Sequence, residues 1–276
     1  MAVTGVVGLG AMGGPIAGHL LRAGFEVCCY DLDGQVLARF AERGAKAAGS
    51  ARELAERSTA VLLFVPSDDD VLDVCGGGLL AAARPGAVVV ICSSVRPDTC
   101  QAVAAAAPPG VDVLDAGLTG GVRGAEHGRI NLLVGGDRRV LDRLSPVLRP
   151  WTSAVHHLGG LGAGQVGKTV NNLIHWAQIC AITEALRLGQ AYGLDVATVR
   201  RALIDGPTDS RTLRELEQMR LTWWAKDLDN AGRMAETVGV ALPVAAVSRE
   251  VMARTSRPEV LRLLGYEDRP GATTRP

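Results

Sequence analysis

Val3-Thr4-Gly5-Val6-Val7 runs directly into Gly8-Leu9-Gly10-Ala11-Met12-Gly13, and residues 15–23 then read as a helix. The first five residues are short and nearly all apolar, the pattern of a strand covered on both faces. The next six carry the Gly-x-Gly-x-x-Gly spacing. Gly8 permits a tight turn, Gly10 lets the backbone approach a pyrophosphate, and Gly13 lets the helix pack against the strand. The helix N-terminus then offers N–H groups and partial positive charge to phosphates. A glycine-rich turn without a ligand can show the same spacing. A strand before and a helix after are the context that dinucleotide binding requires, so Gly8, Leu9, Gly10, Ala11, Met12 and Gly13 form the expected cofactor loop.

A second apolar run, 26–31, ends in Asp31, 18 residues past Gly13. A carboxylate there accepts hydrogen bonds from ribose hydroxyls and repels a 2′-phosphate. Leu32 and Asp33 follow, so no arginine stands next in line to pair with that phosphate. The expected cofactor is NAD in preference to NADP.

Further apolar runs at 60–65, 87–92, 111–115, 130–134 and 154–158 are interleaved with helix-like stretches at 35–43, 51–56, 97–106 and 138–148. Ser50 followed by Glu53 has the form of a capping box. This alternation predicts an α/β fold with a Rossmann-type, doubly wound, mostly parallel sheet. From 162 to 192 nothing reads as a strand. Ala, Leu, Ile and Gln dominate there without proline, which predicts one long helix of roughly 45 Å. Helices over 196–204, 211–219, 224–238 and 243–253 follow. The expected organisation is a dinucleotide-binding domain over 1–160 and an all-helical second domain over 161–276, joined by the long interdomain helix. The tail 267–276, polar with two prolines, reads as frayed.

In the 276 residues, 29 Lys+Arg balance 29 Asp+Glu. A nucleic-acid binder shows a basic excess or block, so no nucleic-acid partner is expected. The 47% hydrophobic and 21% charged shares are those of a globular protein. No apolar run reaches the roughly 18 residues of a membrane span, and no cationic segment precedes an apolar one at the start. The six cysteines form no CxxC pair, which predicts buried free thiols in a reducing cytoplasm and no metal site.

Three of the 29 cationic residues are lysines: Lys46, Lys168 and Lys226. Arginine cannot release its proton near neutral pH, whereas lysine can. In a chain that prefers arginine, the remaining lysines are enriched for places where arginine will not serve. Lys168 lies early in the long helix, and Asn171, Asn172 and His175 follow at +3, +4 and +7, on one face. A solvated polar face is the plain account. Two adjacent asparagines inside a helix argue against it, because asparagine is a mediocre helix former. The sharper account is a catalytic face toward an interdomain cleft, with Lys168 as general acid/base. A third segment, Asp115-Ala116-Gly117-Leu118-Thr119-Gly120-Gly121-Val122-Arg123-Gly124-Ala125, follows a strand. It is either a flexible turn or an anion nest of N–H groups beside the Thr119 hydroxyl, suited to a substrate carboxylate.

With these motifs in this order, the chain resembles the β-hydroxyacid dehydrogenase family, which includes 3-hydroxyisobutyrate dehydrogenase and tartronate semialdehyde reductase. The resemblance rests on the Gly8–Gly13 loop, Thr119-Gly120-Gly121, Gly164-Gln165-Val166-Gly167-Lys168 through Asn172, and Lys226-Asp227-Leu228. It implies that Lys168 is the catalytic lysine and that Asn172, with Asn171 beside it, hydrogen-bonds the reacting oxygen. It also implies that Thr119, Gly120 and Gly121 hold a small substrate's carboxylate. Ser94 would touch the nicotinamide side of the cofactor, Val65 and Pro66 would line the cofactor cleft, and Lys226 would reach the cofactor from the helical domain. Such enzymes form homodimers or homotetramers through that domain.

The chain departs from the family on the substrate side. Gly117-Leu118-Thr119 stands where the family usually has Pro-Val-Ser. Arg123 is either a partner for a second acidic group on the substrate or a structural surface arginine, and His175 is a further candidate for substrate contact. The paired Trp223-Trp224 either caps the pocket or packs in the core. The expected function is hydride transfer between NAD and a small β-hydroxyacid or its semialdehyde or keto partner. Imine reduction on the same fold and cofactor binding without turnover are the alternatives.

Overall fold

The computed structural model describes residues 3–266. The expectation for the tail 267–276 therefore lies outside the described residues. The chain divides into two compact units, one running through Lys168 and the other beginning at Thr169.

Among the described residues the first unit holds an eight-stranded sheet: β1 (Val3–Val7), β2 (Glu26–Tyr30), β3 (Lys46–Ala47), β4 (Ala60–Leu63), β5 (Val88–Ile91), β6 (Asp112–Thr119), β7 (Ile130–Gly135) and β8 (Thr152–Gly159). Their order across the sheet is β3-β2-β1-β4-β5-β6-β7-β8. Neighbours are parallel except β6 and β7, which pair antiparallel. The helices are α1 (Gly13–Arg22), α2 (Gly34–Glu42), α3 (Ala51–Arg57), α4 (Asp68–Val74), α5 (Leu80–Ala82), α6 (Pro97–Ala106), α7 (Gly121–Glu126) and α8 (Arg138–Leu148).

The central strands β4 and β5 are apolar throughout because both of their faces are covered. Side chains alternate across a strand. Val6, Leu62, Val88 and Val90 enter one buried cluster with helix residues Ile16, Leu20 and Leu144. Val7, Val61, Leu63, Val89 and Ile91 enter another, with Leu54, Val71 and Val103. The strand order turns back beside β1, so the loop after β1 opens at a topological switch point, where doubly wound sheets place their ligands.

Several elements differ from the sequence expectation. The helix–turn–helix segment over 68–82 was not foreseen. Ser67 caps α4 through the Asp70 N–H, and Gly78, at φ +113°, sits where the helix is interrupted before α5. Strand β6 runs on to Thr119, and α7 begins where a loop was expected. At Ser50 the hydroxyl accepts from the Glu53 N–H as predicted, but the Glu53 carboxylate reaches the N–H of Gly49 instead of closing a box on Ser50. Lys46 pairs with Glu26 beside the short edge strand β3.

The long helix α9 spans Ala163–Ala191 without a break. In the second unit it is followed by α10 (Val196–Ile204), α11 (Arg211–Arg214), α12 (Trp224–Val238), α13 (Pro243–Ala253) and α14 (Arg257–Leu263). The single helix expected over 211–219 is instead α11 and a separate 3-10 turn at Leu216–Gln218. Trp176, Ile179, Leu186, Leu216, Met252 and Val260 form this unit's core. No helix among the described residues is long and apolar enough to cross a membrane.

All six cysteines are buried free thiols. Burial pushes the Cys29 and Cys75 thiols up to about 12. A thiol held this far from thiolate is a poor nucleophile. Ellman's reagent at about pH 8 is therefore expected to leave the native protein unlabelled and to titrate six thiols once guanidinium unfolds it. Rapid labelling of the native protein would contradict this packing.

Candidate functional site

The three glycines of the Gly8–Gly13 loop are used differently. At Gly8, φ is +85°, and any side chain would strike the carbonyl oxygen of Phe64 at the end of β4. At Gly13 a side chain would strike the carbonyl oxygen of Gly8. These two are glycine because strand, turn and helix touch. Gly10 has nothing within 4 Å of the place where a Cβ would stand, so nothing in the protein explains it by packing. Helix α1 also has no side-chain cap and no acid in its first turn, whereas α2, α3, α4 and α8 are capped by Asp33, Ser50, Ser67 and Asp137. An accessible backbone at Gly10 before an uncapped N-terminus fits a pyrophosphate.

Asp31 follows β2 and ties itself to this loop. Its Oδ2 accepts the Leu9 N–H at 2.6 Å and its Oδ1 accepts the Asp33 N–H at 2.9 Å. The Leu9 N–H is thus engaged with Asp31, and each carboxylate oxygen keeps a further acceptor site for a ribose hydroxyl. At the ends of β4 and β5, Ser93 accepts the Val65 N–H (2.8 Å) and donates to the Leu63 carbonyl (3.3 Å). Ser93 is buried, while its neighbour Ser94 is half-buried and Pro66 is exposed.

Strand β6 organises the other half of the site. Leu114, Ala116 and Leu118 face the core. Asp115, Gly117 and Thr119 alternate with them and share the opposite face. Asp115 is 0% exposed; its Oδ1 accepts the Gly162 N–H at 2.6 Å and its Oδ2 accepts the Gln165 N–H at 2.8 Å. Burial pushes this carboxyl above its usual range, against the pull of the N–H groups of Gly162, Gln165 and Gly164. Two residues on, a methyl group at Gly117 would lie 2.6 Å from the Cβ of Lys168 and 2.7 Å from the Gly164 carbonyl oxygen. The helix backbone that carries Lys168 thus rests directly on the strand. The Gln165 side chain joins this turn to the loop after β5: its Nε2 donates to the Ser93 carbonyl (3.0 Å) and its Oε1 accepts the Val95 N–H (3.2 Å).

Thr119 ends the same strand and is buried. Its hydroxyl donates to the backbone carbonyl of Asn131 on β7 (3.1 Å) and accepts from the Asn131 Nδ2 (3.0 Å). To donate to a substrate carboxylate, this hydroxyl must turn away from Asn131. Gly120 and Gly121 follow with φ of +109° and +62°, a turn that only glycine makes without strain and that leads into the uncapped start of α7. His19 on α1 binds the Ala125 and Glu126 carbonyls through its Nε2 (3.0 and 3.1 Å), so the cofactor helix and the helix after the glycine turn are tied together.

Residues 3–159 match the family model of the NAD binding domain of 6-phosphogluconate dehydrogenase, and residues 162–260 match the one described as NAD-binding of NADP-dependent 3-hydroxyisobutyrate dehydrogenase. The chain belongs to the β-hydroxyacid dehydrogenase family. It is 38% identical over 200 residues to 3-hydroxyisobutyrate dehydrogenase of Pseudomonas aeruginosa, covering 71% of this chain and 67% of that one. It is 32% identical over 260 residues to 2-hydroxy-3-oxopropionate reductase of Escherichia coli, covering 90% and 89%. Mycobacterium tuberculosis 3-hydroxyisobutyrate dehydrogenase, solved with L-serine, superposes with a TM-score of 0.86 at 26% identity, over 96% of this chain and 99% of that one. The protein is an NAD(P)-dependent oxidoreductase of the hydroxyacid class.

The second unit shows what surrounds the remaining candidates. Asn172 is buried and accepts from the exposed Asn171 at 3.2 Å. His175 pairs through Nδ1 with the Thr212 hydroxyl at 3.0 Å and lies against Trp176. Next to the half-buried Lys226, Asp227 accepts the Trp176 indole N–H at 3.0 Å and fastens α12 to α9. The tryptophan pair splits: Trp224 packs against the core, while Trp223 is 63% exposed. Arg123 is exposed on α7. Sequence reasoning missed Asp115, Asn131, Ser93 and Gln165. Asp115 and Gln165 lie inside the quoted motifs and are polar residues in buried surroundings, a signal that was there to be read. Asn131 and Ser93 acquire their partners only when strands pair.

Gly10→Ala and Gly13→Ala are expected to separate the two uses of glycine. Gly10→Ala should leave the melting temperature nearly unchanged and weaken NADH binding about tenfold or more, one lost interaction of about 1.4 kcal/mol. Gly13→Ala should lower the melting temperature itself. Thermal melts with NADH fluorescence titrations check both, and equal behaviour of the two variants would contradict the division.

Proposed function

We propose that this chain oxidises a small β-hydroxyacid to its semialdehyde or keto partner, or runs the reverse, with Lys168 as the general acid/base. The observation that carries this is the shared face of β6. Gly117 seats Lys168, and Thr119, two residues and about 7 Å along the strand, opens the glycine turn on the same side. A substrate whose carboxylate and reacting hydroxyl are a few bonds apart fits that interval. When bound, NAD would supply the acceptor for the hydride leaving the carbinol carbon.

The chain's own residues divide the remaining tasks. The amides of Gly120 and Gly121 and the turned hydroxyl of Thr119 hold the carboxylate. Lys168 accepts the hydroxyl proton in oxidation and returns it in reduction. Asn172, one helical turn on and held by Asn171, hydrogen-bonds the reacting oxygen. Val65, Pro66 and Ser94 line the cofactor side, and Lys226 supplies a cofactor contact. The relatives named above act on small hydroxyacids or their oxo partners by their names, which supports this substrate class. We further propose a cytoplasmic homodimer or homotetramer. Val170, Ile174 and Leu188 along α9, with Tyr192 just past its end, are exposed side chains that a second copy would cover.

Lys168→Ala is expected to lower kcat by about 10²–10⁴-fold while NADH binding persists. The check is an NAD-reduction screen over small 2- and 3-hydroxyacids. Wild-type turnover in that variant would overturn the assignment of the acid/base.

Asp31 makes NAD the proposed cofactor over NADP. Its carboxylate stands where a 2′-phosphate would meet like charge, and Leu32 beside it is 92% exposed and offers no countercharge. Asp31→Ala should weaken NADH binding and narrow the NADH/NADPH preference about tenfold or more, the size of a 1.4 kcal/mol interaction. A wild-type enzyme that binds NADPH more tightly would contradict this.

A further inference from the structure

We infer that Asp115 is a positioning residue for Lys168: its buried carboxylate fastens the first turn of α9 to β6 and so sets where the lysine stands relative to Thr119. It acts in this way only if Lys168 is the proton-transfer group proposed above.

An ionised carboxylate removed from water is costly unless donors satisfy it. Asp115 has them. Both oxygens are taken by backbone N–H groups, those of Gly162 and Gln165, which belong to the start of a helix and have no partner within it. The bond is charge-assisted, and the helix dipole favours an anion at this end. A carboxylate on a strand thus caps a helix from 47 residues away in sequence.

The hook reaches Lys168 by geometry. Gln165, whose backbone N–H Asp115 holds, stands three residues before Lys168 in the same helical turn, and the Cβ of Lys168 lies against β6 at Gly117. Gly117 then fixes how closely they approach. With no side chain at 117, the Cβ of Lys168 descends onto the strand; a methyl group there would need space already taken by Lys168 and Gly164. Asp115 sets the register along the strand and Gly117 sets the height above it. Thr119 is the next residue on that face. One strand therefore measures the distance between the carboxylate-binding turn and the proton-transfer group. A displacement of about 1 Å in such an arrangement can cost about 10²-fold in rate.

Three variants test this. Asp115→Asn keeps the shape but gives up the charge and one acceptor oxygen, turning an NH₂ group toward a helix N–H. Gly117→Ala keeps the hook but raises the floor under Lys168. Leu144→Ala, in the core on α8, controls for lost stability alone. The first two are expected to lower kcat about tenfold or more, to hold the NADH Kd within about twofold, and to leave the residual rate of Lys168→Ala unchanged when combined with it. Leu144→Ala should lower the melting temperature with kcat per folded molecule intact. Should Asp115→Asn not fold, Gly117→Ala carries the test. Effects that multiply in the Lys168→Ala background would show that Asp115 and Gly117 act on stability in general and overturn the positioning role. An inactive Lys168→Ala beside unchanged kcat in Asp115→Asn and Gly117→Ala would overturn it alone, whereas wild-type kcat in Lys168→Ala would overturn the proposed function with it.

Discussion

A carboxylate with no access to water, held by the first N–H groups of a helix, joins the sheet to the element that bears the candidate catalytic lysine. Asp115 is that joint. It is placed there by the alternation of β6, whose other face is committed to the core through Leu114, Ala116 and Leu118. The strand cannot slip by one residue without turning Asp115 into that core and Leu114 out of it. The constraint that fixes the sheet's packing therefore also fixes the residues that face the helix.

Several glycines share a single purpose, which is contact between backbones. Gly8 and Gly13 let β1, its turn and α1 close on each other, and Gly117 lets α9 close on β6. Gly10 stands apart because no neighbour requires it. The contrast separates a glycine that exists for the fold from one left open for a ligand, and it does so without reference to any relative. On the cofactor side Asp31 plays a part parallel to that of Asp115, since it braces the glycine loop through Leu9 while remaining able to accept further hydrogen bonds.

Much of this was legible in the sequence. The central runs that became β4 and β5 are apolar because both faces are covered, whereas β8 holds no buried residue, and the first glycine motif had its strand and helix in place. The unbroken stretch without proline gave a single helix, Ala163–Ala191. What escaped had physical reasons. The two-residue strand β3 and the helices around Gly76-Gly77-Gly78 carry too little periodic signal to be seen locally. Thr119 was expected in a loop because its run of small residues hid the extended backbone that pairs with β7. Asp115 looked like the end of a strand, and its importance depends on residues 47 and 50 positions later. Asn131 gave no sign at all, since its bond to Thr119 exists only through the antiparallel register. The scarcity of lysine pointed to Lys168 and Lys226, and Lys46 turned out to be an edge-strand ion pair with Glu26.

The most direct test is a crystal structure of the protein with NADH and an unreactive hydroxyacid bound together. With the substrate carboxylate on Thr119, Gly120 and Gly121, the Lys168 Nζ is expected within hydrogen-bond reach of the substrate hydroxyl, about 2.6–3.2 Å. The Asp115 bonds to Gly162 and Gln165 should persist. A carboxylate bound elsewhere, or a lysine turned away from the hydroxyl with both ligands bound, would contradict the account.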